Sequence, residues 1–110
     1  MVGTIQSAEL AELLATSAVD LIDVRNPDEW DTGHIPGARL VPLHVFRNDP
    51  DAVLKHGTTI VFACAKGVRS MQAAKLAERF GYESVLNLEG GTKEWARTHE
   101  LAFEANRAAA

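Results

Sequence analysis

The chain is poor in reactive sulfur: it has one cysteine, Cys64. A lone cysteine closes no internal disulfide, so this thiol is either core filler or chemistry. A reducing, cytoplasmic compartment is the expected location. Long apolar runs are missing too, and none approaches the ~18 residues that a membrane span needs. The start, MVGTIQSAEL, lacks a basic segment followed by an apolar one, so no signal peptide is expected. There is no basic block, and the net charge is −4. These two features argue against nucleic acid as a partner, and no membrane association is expected either. His34, His44, His56 and His99 are scattered, with no cysteine or carboxylate at ligand spacing, so no metal is expected. No internal repeat is visible.

Of the 110 residues, 46% are apolar, enough for one core. One domain over residues 1–110 is expected, with a core of about 5–100 and a disordered tail from Glu104 to Ala110. Ser7 is placed to cap a first helix carrying Leu10, Leu13 and Leu14. Val19 to Val24, mostly apolar, reads as a buried strand. Asn26, Pro27 and Glu29 form a cap, first-turn proline and capping-box acid for a short helix that Gly33 ends. Leu40 and Val41 suggest a brief strand, and Asp49 with Pro50 a short helix to about Lys55. TTIVFAC, Thr58 to Cys64, has the β-branched content of a central parallel strand. Arg69 to Phe80 turns helical and stops at Gly81. Ser84 to Leu88 is a last strand. Gly90 and Gly91 then make a tight turn, and Thr92 caps a helix bearing Trp95. Strands alternating with helices imply βαβ units and an α/β fold with a mainly parallel sheet.

The chemistry concentrates after Thr58 to Cys64. Ligands of open α/β sheets bind beyond the carboxyl ends of strands, where Cys64 falls. The amides of the following residues and the next helix start favour an anion there. Lys66 and Arg69 add full charges, and Gly67 adds conformational freedom. Each effect favours thiolate over thiol, and such settings lower a cysteine pKa from ~8.5 to roughly 3.5–7.5. The requirement is a sulfur held negative and open to solvent. The competing reading is a small buried hydrophobe, for which Lys66, Gly67 and Arg69 have no use. Trp30 and Trp95 read as packing residues. Asp28, Glu29 and Asp31 read as a helix start with a solvated face. Arg25, just past a strand end, either lines the pocket or pairs with Asp23, with the structural role favoured.

Three segments together resemble the single-domain rhodaneses, the thiosulfate sulfurtransferases. CAKGVRS, Cys64 to Ser70, is similar to their active-site loop. Leu21 to Leu43, around Gly33-His34-Ile35-Pro36-Gly37-Ala38, is similar to their amino-terminal signature. Leu86 to Trp95 is similar to the carboxyl-terminal one. The resemblance covers about residues 5–100 and implies a five-stranded parallel sheet flanked by helices on both faces. It implies that Cys64 carries sulfur as a persulfide, with Ala65, Lys66, Gly67, Val68, Arg69 and Ser70 cradling the substrate and no cofactor. The implied partners are a small anionic sulfur donor such as thiosulfate and a thiophilic acceptor such as cyanide or a thiol. A sulfur-relay protein and a regulatory module are the alternatives. Relative to the two-domain thiosulfate enzymes, Ala65 stands for an arginine and Arg69 for a threonine, which leaves thiosulfate itself in question as the physiological donor. A phosphatase or arsenate reductase needs a cysteine and arginine one residue further apart than Cys64 and Arg69, so this loop makes too small a cup.

Overall fold

The computed structural model describes residues 2–103. The tail expected at Glu104 to Ala110 lies outside the described residues. Five strands, β1 (Gly3–Ile5), β2 (Val19–Asp23), β3 (Arg39–Leu40), β4 (Thr59–Ala63) and β5 (Val85–Leu88), form one sheet. Its order is β1-β5-β4-β2-β3, with every pairing parallel. Among the described residues, five helices connect the strands, α1 (Ser7–Thr16), α2 (Pro27–Asp31), α3 (Leu43–Asn48), α4 (Pro50–Val53) and α5 (Val68–Arg79), and α6 (Gly91–Thr98) follows β5.

The two-residue period of β4 sends its side chains to opposite faces. Ile60, Phe62 and Cys64 enter one core with Phe46 of α3 and Ala73, Ala74 and Ala77 of α5. Val61 and Ala63 enter the other with Leu10 of α1, Trp30 of α2 and Trp95 of α6. Both faces of the sheet are therefore covered, which explains why β4 reads as a continuous apolar run. It also places Cys64 on the α5 side.

Several boundaries differ from the sequence expectation. Strand β1 was not anticipated: Gly-Thr-Ile is too short to show a period, and only pairing with β5 makes it a strand. Helix α3 was also missed, because six residues after Pro42 give little pattern before Phe46 is buried. Ser7 lies inside α1. Gln6 is the cap, and its N–H donates to the Glu9 carboxylate over 2.9 Å. Thr92 likewise lies inside α6, capped by Gly90. At α2 the expected box forms, with the Asn26 N–H donating to Glu29 Oε1 at 3.1 Å.

Candidate active site

Cys64 is the first residue beyond β4, at the carboxyl edge of the middle strand. The chain then turns back through Gly67, whose φ is +99°, into α5. That left-handed angle suits glycine, and a Cβ there would lie 3.3 Å from the Leu88 carbonyl oxygen. The turn aims amides at the sulfur: Gly67 N donates to Sγ at 3.1 Å and Ser70 N at 3.3 Å. Ser70 Oγ lies 3.3 Å from Sγ and donates to Asn87 Oδ1 at 2.5 Å. Asn87 Nδ2 in turn donates to the Gly67 carbonyl at 3.2 Å, bracing the loop from β5. A hydroxyl has one proton to give. Ser70 therefore donates to Asn87 when Cys64 is a thiol, and can rotate to donate to the sulfur when it is a thiolate.

Burial pushes the Cys64 thiol up. The Ser70 hydroxyl and the amides of Ser70, Gly67 and Lys66 together outweigh that effect, so its pKa falls below the ordinary thiol value. The largest contributions to the lowering are oriented hydrogen bonds.

The expectation of a sulfur open to solvent needs correction. Cys64 is 1% exposed and sits in the wall of a cavity of about 350 Å³. Ala65, Lys66, Val68 and Arg69 of the loop line that cavity, while Gly67 and Ser70 act from behind it as donors to the sulfur. The charge assignment also changes. Arg69 Nη1 and Nη2 meet Glu29 Oε1 and Oε2 at 2.7 and 2.8 Å, a bidentate pair across 40 residues of sequence. The Arg69 hydrogen bonds hold the Glu29 carboxyl down at about 2, and Glu29 raises the Arg69 pKa. Arg69 is thus already neutralised. The cations left facing the cavity are Lys66 and Lys93 of α6. Glu29 is a site residue and not only a helix-start acid on a solvated face. A second cleft of about 340 Å³ shares Glu29, Ala65 and Lys93 with the first.

Arg25 does both: it pairs with Asp23 and lines the second cleft. It is buried, and its Nε and Nη2 hold Asp23 at 2.8–3.1 Å. It also donates to the carbonyls of Glu29 at 3.2 Å and Gly33 at 2.9 Å, which fixes the end of α2 that presents Glu29. Gly90 and Gly91 form the expected turn, but with a further purpose. A Cβ on Gly91 would stand 2.3 Å from the Cys64 carbonyl oxygen. The close approach lets Thr92 N donate to Cys64 O at 2.8 Å and Lys93 N to Ala65 O at 3.1 Å. These bonds hold the loop carbonyls while its amides face the sulfur. Sequence reasoning missed Glu29, Asn87 and Lys93 as site residues. Only the acid after Asn26-Pro27 carried any signal, and that signal was for a cap. Among the described residues no group of His, Cys, Asp and Glu is placed to hold a metal.

The model of the rhodanese-like domain matches residues 6–98. A sulfurtransferase of Allochromatium vinosum is 39% identical over 106 residues, covering 96% of this chain and 97% of its own length. The probable adenylyltransferase/sulfurtransferase MoeZ of Mycobacterium tuberculosis is 38% identical over 97 residues. That match covers 86% of this chain but 25% of the relative, so the chain spans about a quarter of that protein's length. The human single-domain sulfurtransferase TSTD1 superposes with a TM-score of 0.76 at 30% identity, covering 91% of this chain and 100% of that one. The five-stranded parallel sheet, the loop at Cys64 and these matches lead to one assignment: the chain belongs to the rhodanese-like domain family.

Proposed function

We propose that this chain is a sulfurtransferase in which Cys64 carries a sulfane sulfur as a persulfide. The observation that supports this most is the set of polar contacts on Sγ: the Gly67 and Ser70 amides donate to it, and the Ser70 hydroxyl lies within reach at 3.3 Å. An inert core thiol needs none of them. The Cys64 thiolate attacks the outer sulfur of thiosulfate or a similar donor. A bond forms between Sγ and that sulfur, the donor S–S bond breaks, and sulfite leaves with the bonding electrons. Sulfite is a stable anion, so the step needs no general acid. Lys66 and Lys93 draw the anionic donor to the cavity and steady the departing sulfite. An acceptor, cyanide or a thiolate, then takes the outer sulfur and regenerates Cys64. No cofactor enters this scheme. The lone free thiol suits a reducing compartment such as the cytoplasm.

Mass spectrometry of the protein after thiosulfate treatment tests the reading. One added sulfur, about 32 Da, is expected on the intact chain and none on Cys64→Ser. Absence of an adduct with every sulfane donor tried would overturn it and favour a regulatory, non-catalytic module. Phosphate release from an aryl phosphate without thiocyanate formation would indicate phosphatase chemistry instead.

A further inference from the structure

The net charge of the chain is −4, yet residues 66–79 hold Lys66, Arg69, Lys75 and Arg79 against one carboxylate, Glu78. On α5, Val68, Gln72, Lys75 and Arg79 recur at helical spacing along one exposed stripe. Arg47 of α3 joins them, its guanidinium donating to Gln72 Oε1. Arg47, Gln72, Lys75, Leu76 and Arg79 line a cleft of about 430 Å³ with no carboxylate in its wall. At the other end of the stripe, Val68 is 68% exposed and lines the Cys64 cavity. A basic track on an acidic molecule therefore leads to the mouth of the candidate active site.

We propose that this track docks an acidic protein that exchanges sulfur with Cys64, the partner presenting its thiol on a short extended segment. The proposal rests on the sulfurtransferase reading above. Its distances restrict the partner. Val68 to Arg79 spans about 16 Å of helix at ~1.5 Å per residue, too long for one small anion. From Lys75 to Val68 is about 10 Å, which an extended chain covers in about three residues. The partner's carboxylates therefore sit about three residues from its thiol. No aromatic side chain lines the cleft, so the stacking platform that single-stranded nucleic acids use is absent. In the transfer, the partner's thiolate attacks the outer sulfur of the Cys64 persulfide. A new S–S bond forms on the partner, the bond from Sγ to that sulfur breaks, and Cys64 leaves as thiolate. The proton of the outer sulfur travels with it.

Synthetic peptides test this with the thiosulfate-loaded protein: Glu-Glu-Glu-Gly-Gly-Gly-Cys, its lysine counterpart, and an acidic peptide without the glycine spacer. Three exposed ion pairs make the spaced acidic peptide about tenfold better in kcat/KM than the lysine peptide at low salt. The advantage shrinks as added salt shortens the screening length. The spacerless peptide falls toward the lysine one. R47E/K75E/R79E reverses the charge preference while its rate with a small neutral thiol, which also reports folding, stays within about twofold of the parent rate. Equal rates for acidic and basic peptides, or indifference to the charge reversal, would overturn the proposal. Fluorescence anisotropy of the labelled acidic peptide on Cys64→Ser reads docking without sulfur chemistry. Failure of the persulfide reading and failure of docking are thus separate results. Tighter binding of a single-stranded RNA than of the peptide at matched charge would also overturn it.

Discussion

At the residue scale, the nucleophile is set by where hydrogen atoms point. Cys64 is buried among Ile60, Phe62 and Ala73 on one side, and burial alone favours the neutral thiol. The opposing effect comes from the Ser70 hydroxyl and the amides of Ser70, Gly67 and Lys66 around Sγ. Ser70 supplies two of these donors, and its hydroxyl is the one that a side-chain change removes. Ser70→Ala is expected to raise the thiol pKa, because it removes one hydrogen bond to the charged sulfur. The pH dependence of alkylation by iodoacetamide measures this, and an unmoved midpoint would show that the hydroxyl serves only Asn87. Lys66 and Arg69 were legible as cations near the sulfur because they follow it in sequence. That Arg69 is already paired was not legible, because Glu29 lies 40 residues away.

At the element scale, the loop is held by the helix start and strand on either side of one turn. The α6 amides take the carbonyls of Cys64 and Ala65, and β5 reaches the loop through Asn87. Gly91 makes the approach possible, with φ +62° and no side chain to strike the Cys64 carbonyl. Gly91→Ala is expected to cost on the order of 1–3 kcal/mol through backbone strain and the clash. The same change should displace the amides around Sγ, so sulfur transfer should fall together with the urea midpoint. Wild-type stability in that variant would mean that α6 has room to shift. The Gly90-Gly91 pair was readable as a turn. Its contact with the cysteine loop was not, because local spacing carries no information about what crosses above a turn.

At the scale of the whole molecule, the Glu29–Arg69 pair ties α2 to α5 over the carboxyl edge of the sheet, and Arg25 anchors the α2 end. The Glu29 pKa drops from 4.5 to about 2 on folding. A carboxyl depressed in the fold contributes stability that is fully present above its unfolded value and lost as pH falls through the folded one. The stability difference between the parent chain and Glu29→Gln should therefore be constant above about pH 5 and close between pH 4.5 and 2. Urea midpoints measured down that range check it, and a difference that persists unchanged at the acid end would assign the effect to packing. The charge map is also a property of the whole chain. The α5 cations are neighbours in sequence, and the fold of this net −4 molecule adds Arg47 to them beside Gln72 and Lys75.

The sequence by itself determined the alternation of strands and helices, the place of Cys64 at a strand end and the glycine turn into α5. These follow from short-range causes: side-chain period, β-branched content, caps and the backbone freedom of glycine. The resemblance of three segments added the five-stranded sheet, including an edge strand too short to see. The tertiary structure alone decided that Cys64 sits in a cavity wall, that Glu29 holds Arg69, and that Lys93, Asn87 and Gly91 serve the cysteine loop. Each of those depends on residues far apart in the chain meeting at one edge of the sheet, and the sheet order that brings them there is set by packing both faces at once.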